Sequence, residues 1–152
     1  MDDNTMTYDV RWADLDANRH MHYSAYIDAA TELRLRFFNR HGLPMEVFDQ
    51  MGVSPVYTTL TANFFREALL GETLTINFLM AGLSPQGIRW KIRHDFLKAN
   101  GKKSVIVLVE GTFLDLATRK PTVLPAPILE VFQQVPRTPD FEVLSDRRWF
   151  GE

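Results

Sequence analysis

The sequence contains no cysteine among its 152 residues, which excludes a disulfide framework, a thiolate metal site and a cysteine nucleophile. It also has no run of about 20 consecutive apolar residues, the length needed to span a bilayer. Its first six residues include two acids and no basic side chain, whereas a secretory signal begins basic and then becomes apolar. The formal net charge is only −2, so no global attraction to nucleic acid or to an anionic membrane is expected. We therefore expect a cytoplasmic protein with no nucleic-acid and no membrane partner.

The length and composition are typical of one globular domain. Hydrophobic residues make up 45% of the chain and charged residues 24%, as in ordinary folded proteins. No repeat or linker divides the sequence. We predict a single domain over residues 1–152, with its core at about 7–125 and a short helix and tail over 126–152. The tail carries prolines and mixed charge, and we expect it to be loosely held.

Hydrophobic periodicity predicts one long helix among several strands. Apolar residues at helical spacing run from Tyr23 to Arg40, with Tyr26, Ala30, Leu33 and Phe37 on one stripe. Gly42 and then Pro44 mark the end of this helix, and a short helix is predicted over 45–51. Alternating or β-branched runs predict strands over 7–12, 56–65, 73–80, 88–96 and 104–114.

Two turns indicate how the strands connect. Residues 70–72 predict a hairpin between 56–65 and 73–80, and Asn100-Gly101 predicts a second hairpin that ends in an apolar, central strand. One helix must cover this sheet, and its apolar stripe is buried only if the sheet curls around it. This arrangement resembles the hotdog fold: an α+β architecture in which a curled antiparallel sheet of five to six strands wraps around one long central helix. Its open sheet edges predict a homodimer, with a homotetramer as the alternative.

One segment before the long helix concentrates reactive side chains. Asp16, Asn18 and His20 are spaced two residues apart, beside free backbone N–H groups at a helix start, where negative charge is stabilised. Together these groups supply a base and an oxyanion site. The structural alternative is that Asp14 or Asp16 orders the loop, Asn18 turns it and Ser24 caps the helix.

The run Asp14-Leu15-Asp16-Ala17-Asn18-Arg19-His20 carries a family resemblance. It resembles the hotdog-fold acyl-CoA thioesterase superfamily, in which Asp-x-Asp follows the first strand and a His, Asn or Tyr precedes the long helix. The spacing from Asp16 to Tyr23 is similar to that of the 4-hydroxybenzoyl-CoA thioesterases, and the run from Asp16 to His20 is similar to that of the fatty acyl-ACP thioesterases. Many relatives continue His-Val-Asn-Asn where this chain has His20-Met21-His22-Tyr23, so the acyl group is not specified.

The resemblance implies an acyl-CoA thioester hydrolase that releases a free carboxylic acid and CoA, with no cofactor and no metal. Asp16 would be the nucleophile or the general base that activates water, and both roles stay open. Asn18 and His20 would orient Asp16 or the water. Backbone N–H groups near Tyr23 would hold the carbonyl oxygen as charge develops. Asp14 is expected to be structural.

Further residues are predicted to contact the substrate. Those near the loop could line an acyl pocket, although Tyr26 also belongs to the core stripe. A basic strand face suits the phosphates of CoA, while the alternative is a charged face that keeps the sheet soluble. Glu67 could be a second acid supplied across a dimer, or a solvated charge. The predicted substrate-binding residues are His22, Tyr23, Tyr26, Arg89, Lys91 and Arg93.

The partner expected from this resemblance is an acyl-CoA or acyl-carrier-protein thioester. Two other functions stay open. One is a non-catalytic hotdog module that binds acyl thioesters or lipids. The other is a hotdog hydratase or dehydratase, whose Asp-x-x-x-x-His motif in a Gly- and Pro-rich neighbourhood is not obvious here.

Overall fold

The computed structural model describes residues 2–147, in which one long helix is followed mainly by strands. The helices are α1 (Tyr23–Arg40), α2 (Met45–Met51) and α3 (Ala126–Gln134). The strands are β1 (Thr5–Asp9), β2 (Val53–Phe64), β3 (Thr73–Asn77), β4 (Leu79–Leu83), β5 (Trp90–Leu97), β6 (Lys103–Asp115), β7 (Pro121–Thr122) and β8 (Arg137–Val143). No helix within residues 2–147 has both the length and the apolar character needed to cross a membrane.

The predicted boundaries of α1 and α2 are confirmed. α1 ends where Gly42 adopts a left-handed φ of +72°, a conformation that costs glycine least, and Pro44 then precludes a further turn. α2 ends in the same way at Gly52, whose φ is +71°. Local chemistry therefore sets both ends.

The strands form one curled sheet. Across it, β1 pairs with β3, β3 with β5, β5 with β6 and β6 with β2, all antiparallel. β4 continues the line of β3 beside β5, and β6 also pairs with the short β7. The central position of β6 and its hairpin with β5 confirm the prediction from Asn100-Gly101. This is the hotdog fold, with an eight-stranded sheet in place of the predicted five to six strands.

The predicted hairpin between residues 56–65 and 73–80 is wrong. β2 pairs with β6 from Val53 opposite Asp115 to Phe64 opposite Val105. β6 has 13 residues and can satisfy the backbone groups of the 12-residue β2, whereas β3 has only five.

The predicted strand over 73–80 is also interrupted. The Phe78 N–H donates to the carbonyl of Asn4 at 2.7 Å, and the Asn4 side chain donates back to the Phe78 carbonyl at 2.9 Å. These two hydrogen bonds to Asn4, in the turn Asp2–Asn4, interrupt the strand between β3 and β4.

The expectation of a loosely held tail is wrong for β8. This strand pairs in parallel with β4, with Met80 opposite Arg137 and Leu83 opposite Val143. The prolines that suggested disorder are tolerated because β8 is an edge strand, where a missing N–H donor costs little.

The core lies between α1 and the concave face of the sheet. The predicted stripe of Tyr26, Ala30, Leu33 and Phe37 is at most 1% exposed. Phe37 stacks on Phe78 with ring centroids 4.4 Å apart, and burying one such ring contributes about 1.5–3 kcal/mol. At the N-terminal end of this stripe, Tyr26 lies edge-on to Phe64 at the end of β2, with ring centroids 6.0 Å apart. The candidate site lies at this junction.

Candidate active site

The loop that precedes α1 is organised around the buried Asp14. Its carboxylate accepts hydrogen bonds from the Tyr8 hydroxyl at 2.7 Å and from the Arg11 backbone and guanidinium at 2.9 and 2.8 Å. Burial by itself would raise the pKa of Asp14, but these hydrogen bonds outweigh burial and lower it below the ordinary value. Burial and the same contact raise the pKa of Tyr8 to about 12. Asp14 therefore has its hydrogen-bonding capacity occupied by the loop, in agreement with a structural role.

Asp16 closes a tight turn and is exposed. Its Oδ1 accepts from the backbone N–H of Asn18 at 2.9 Å and of His20 at 3.3 Å. Arg19 takes the left-handed conformation that this turn requires, with φ of +63°. Among residues 2–147, no hydrogen-bond donor reaches the other oxygen, Oδ2. One carboxylate oxygen thus orders the loop, and the other is available for chemistry.

A cleft of about 320 Å³ opens beside this turn. One wall comes from the loop and the start of α1, and the other from the end of β2 and the segment after it. The lining residues are Asp16, His20, Met21, His22, Tyr23, Tyr26, Phe64, Phe65, Arg66 and Glu67. Five of the predicted site residues meet here: Asp16, His20, His22, Tyr23 and Tyr26. Asn18 is not part of the lining, and it reaches the site only through its backbone N–H to Asp16.

His20 and Glu67 form a pair inside the cleft. The His20 Nε2 lies 2.8 Å from the Glu67 Oε2, and both side chains keep solvent access, at 38% and 55% exposure. Glu67 comes from the same chain as His20, whereas the sequence suggested a supply across a dimer. The segment is anchored by Ala68, which is fully buried and whose carbonyl accepts the Met21 N–H at 2.9 Å. This anchor is what brings two residues distant in sequence together.

The start of α1 supplies unused amide donors. His22 is the N-cap: its Nδ1 accepts the Ala25 N–H at 3.4 Å and lies 2.7 Å from the Ser24 hydroxyl. The backbone N–H groups of Tyr23 and Ser24 have no hydrogen-bond acceptor within the part of the chain that the structure describes, as is usual in a first helical turn. Tyr23 lines the cleft and is 68% exposed, so this positive end of the helix is open to a ligand.

Tyr26 lies deeper than predicted for a residue that contacts substrate. It is 1% exposed, and its hydroxyl lies 2.9 Å from the Ser104 Oγ. The Ser104 hydroxyl in turn donates to the Arg66 carbonyl at 2.7 Å. Burial raises the pKa of Tyr26, so the phenol stays neutral and forms the floor of the cleft.

The predicted basic face does not lie at the cleft of this chain. The Arg89 guanidinium donates to the Ser145 carbonyl at 3.4 Å, and Lys91 pairs with Glu142 at 3.1 Å. Arg93 pairs with Asp95 at 2.7 Å. The acid Glu142 belongs to β8, the strand that was predicted as a loose tail, and this is why the neutralisation was not foreseen.

Within residues 2–147 there is no group of three or more His, Cys, Asp or Glu side chains that could hold a metal ion. The polar atoms of the cleft are carboxylate, imidazole and amide groups. Such a set can accept a proton, attack a carbonyl carbon and stabilise the resulting oxyanion.

Comparisons with known proteins agree with the fold. A family model described as the thioesterase-like superfamily matches residues 10–132. No curated protein sequence matches the chain. A Staphylococcus aureus protein solved in complex with CoA is 19% identical, with a TM-score of 0.78 over 89% of this chain and 87% of that one. A 1,4-dihydroxy-2-naphthoyl-CoA thioesterase from Synechocystis is 17% identical, with a TM-score of 0.77 over 86% and 95%. At these identities the structural likeness shows the fold alone.

Proposed function

Because the chain belongs to the thioesterase-like superfamily, we propose that it hydrolyses acyl-CoA thioesters to a free carboxylic acid and CoA. The observation that carries this proposal is the cleft at the start of α1. There the free oxygen of Asp16, the pair of His20 and Glu67, and the amide groups of the first helical turn border one space. The similar proteins solved with CoA or named as a naphthoyl-CoA thioesterase support CoA as the thiol carrier.

Asp16 is the proposed reacting carboxylate, in one of two roles. As a general base it takes a proton from water, whose oxygen then adds to the thioester carbonyl carbon. As a nucleophile it adds to that carbon itself, giving a mixed anhydride that water later opens. In both routes the carbon–sulfur bond breaks and the CoA sulfur leaves with its electron pair and takes up a proton. The unpartnered Oδ2 is the atom that acts, because Oδ1 holds the turn.

His20 and Glu67 are proposed to position the water or the substrate. The Glu67 carboxylate, 2.8 Å from the His20 ring, fixes the orientation of that ring. Asn18 contributes through its backbone N–H, which holds Asp16 in place.

The first turn of α1 is the proposed oxyanion site. The N–H groups of Tyr23 and Ser24 lie at the N-terminal end of the helix, where negative charge is stabilised. Loss of one such donor typically costs about 3 kcal/mol of transition-state stabilisation. His22 keeps this turn in register by capping Ala25.

The binding site for the CoA phosphates stays a prediction. Arg89, Lys91 and Arg93 remain the sequence-based choice, but phosphates would have to displace Glu142 and Asp95 from them. Arg66 lines the cleft directly and is a second choice for a phosphate contact. If replacing Arg66 lowers the affinity for CoA and replacing Lys91 does not, the phosphate contact is at Arg66.

We propose a homodimer joined along the free edge of β2. Within the described chain β2 pairs with β6 alone, which leaves an edge that proteins normally cover. Tyr57, Leu60 and Phe64 on this strand are 43–57% exposed, and Phe64 borders the cleft. A second copy on this edge would therefore cover one side of the cleft. Light scattering after size exclusion distinguishes a monomer, this dimer and the homotetramer.

A panel of acyl thioesters tests the proposed activity. Short, long, branched and aryl acyl-CoAs, with one acyl-carrier-protein thioester, would be assayed by release of free thiol. We expect release from at least one acyl-CoA, with the rate lost on replacing Asp16. Tight binding of acyl-CoA with no release from any member would instead identify a binding module without catalysis. Hydration of an enoyl-CoA with no thiol release would identify a hydratase.

A further inference from the structure

Arg34 is a buried cation in the middle of α1 with no anionic partner in the described part of the chain. The residue is 3% exposed. Its Nη1 donates to the His94 Nε2 at 2.9 Å, its Nη2 to the Thr31 hydroxyl at 3.1 Å and its Nε to the Tyr57 hydroxyl at 3.4 Å. No carboxylate among residues 2–147 lies within 4.0 Å of it. Of its five N–H donors, these contacts use three.

The neighbours of Arg34 within residues 2–147 bring no negative charge to it. Besides its hydrogen bonds, the guanidinium lies over the Tyr57 ring, 4.9 Å from the ring centroid, a contact that stabilises the cation but does not neutralise it. The His94 Nδ1 lies 2.8 Å from the Asn77 carbonyl, so this nitrogen carries the proton and Nε2 is the acceptor for Arg34. Burial, with the nearby Arg34 charge, lowers the pKa of His94 to about 3, so His94 is neutral at physiological pH. The cluster therefore holds one net positive charge, and a buried charge without a counter-ion is unfavourable.

The Arg34 side chain borders a cavity of about 250 Å³ between α1, α2 and the start of β2. The rest of the wall is largely apolar and includes Phe38, Phe48 and Val53, each at most 7% exposed. Asp49 also borders the cavity, but it is exposed and forms no ion pair with Arg34. A mainly apolar cavity with one convergent charge is the usual form of a small-molecule site.

This cavity is separate from the cleft at the start of α1. The two share no lining residue. Arg34 lies roughly 16 Å along the helix axis from Tyr23, at 1.5 Å per residue. A ligand in one space therefore need not occupy the other.

We propose that the cavity beside Arg34 binds a small apolar monocarboxylate, with its hydrocarbon part against Phe38, Phe48 and Val53 and its carboxylate on the guanidinium. The charge of the ligand supplies the counter-ion that residues 2–147 do not provide, and the planar fork of arginine matches a carboxylate in two-point contact. The apolar wall disfavours inorganic anions, which would lose hydration without burying apolar surface. This site does not depend on the hydrolase proposal.

Octanoate tests the proposal, with octanamide as its neutral counterpart and inorganic phosphate as a simple anion. Isothermal titration calorimetry on the full chain should show one octanoate per chain. Binding of octanamide should be at least about tenfold weaker, because a neutral amide cannot act as a counter-ion to the guanidinium. Phosphate should not compete. Arg34→Met should abolish octanoate binding, whereas Arg36→Met, on the exposed face of the same helix, should leave it unchanged.

Methionine methyl groups locate the ligand. Met45 borders the Arg34 cavity and Met21 borders the cleft at the start of α1. With methyl-labelled methionine, octanoate should shift the NMR signal of Met45 and leave that of Met21 in place. Asp16→Asn should not alter this result.

Three results would overturn the proposal. The first is a shift at Met21 without one at Met45, and the second is equal affinity for octanoate and octanamide. The third is that wild type binds no octanoate. A change of oligomeric state in Arg34→Met would then point to a second copy of the chain as the source of the counter-charge. If Arg34→Met does not fold, Arg34→Lys keeps the test open. This variant retains the positive charge. It should bind octanoate more weakly than the wild type does, but more tightly than it binds octanamide.

Discussion

Replacing Asp16 with Asn separates its structural task from its proposed catalytic task, because Oδ1 accepts the backbone N–H groups of the turn and Oδ2 is the proposed reacting atom. An Asn at this position keeps an Oδ1 that can accept the N–H groups of Asn18 and His20. It removes the negative charge and replaces the free Oδ2 with an amide that cannot act as a base or nucleophile. Asp16→Ala removes both tasks at once. The two variants should therefore differ in stability and agree in chemistry.

The expected size of each effect follows from these contacts. Loss of a general base typically lowers the rate about 10²–10⁴-fold, equivalent to about 3–5 kcal/mol of barrier, so both variants should lose that much in kcat/KM. The Asn variant should unfold at the wild-type temperature. The Ala variant loses two hydrogen bonds worth about 0.5–1.5 kcal/mol each, and its Tm should fall by roughly 2–4 °C for each kcal/mol lost.

The assay is thiol release from the best acyl-CoA in the panel, followed by thermal unfolding of the same samples. Asp28→Asn is the matched control, since Asp28 is an exposed aspartate on α1 outside the cleft and should keep full activity. Unchanged kcat/KM in Asp16→Asn, with a loss only in Asp16→Ala, would refute the reasoning. Asp16 would then serve only to order the loop.

Three further predictions concern the fold and the assembly. Gly111→Ala should cost about 1–3 kcal/mol of stability, seen in urea unfolding, because an added Cβ would meet the Val56 carbonyl oxygen and the Trp90 ring; wild-type stability would contradict this packing. For His94 the folded pKa of about 3 is below the unfolded value of about 6.5. The contribution of neutral His94 to stability is thus complete above the unfolded pKa and is lost as pH falls toward the folded pKa. His94→Gln should therefore make the free energy of unfolding less dependent on pH between these two values. Leu60→Glu should convert the proposed dimer to a monomer in light scattering, and an unchanged dimer mass would place the interface elsewhere.

Much of the helical structure was predictable because helices are encoded locally. The spacing of apolar residues from Tyr23 onward, the left-handed Gly42 and the Pro44 that follows act over a few residues each. The same holds for the Asn100-Gly101 turn and for the Asp16 loop, whose acid, amide and imidazole are close in sequence. The resemblance of this loop to the thioesterases then led to the correct family.

Strand partners were less predictable. β2 pairs with β6 because their lengths match, and β8 pairs in parallel with β4, a strand far from it in sequence. Neither fact is visible in the alternation of a single strand, since periodicity reports which face is buried and not which strand lies alongside. The same limit explains why the face with Arg89, Lys91 and Arg93 was predicted to be open to CoA. The acid that neutralises Lys91 comes from β8, which is distant in sequence.

By itself, then, the sequence determined where α1 begins and ends, which loop carries the candidate catalytic acid, and that a sheet must curl around one helix. Only the tertiary structure decided that Glu67 lies against His20 and that Arg34 is enclosed beside His94, with no carboxylate of the described residues paired with it. The physical reason is the separation along the chain over which each kind of interaction acts. Helix caps and turns are set by interactions within a few residues, whereas these contacts join segments far apart in the chain, and they exist only because the packed core holds those segments together.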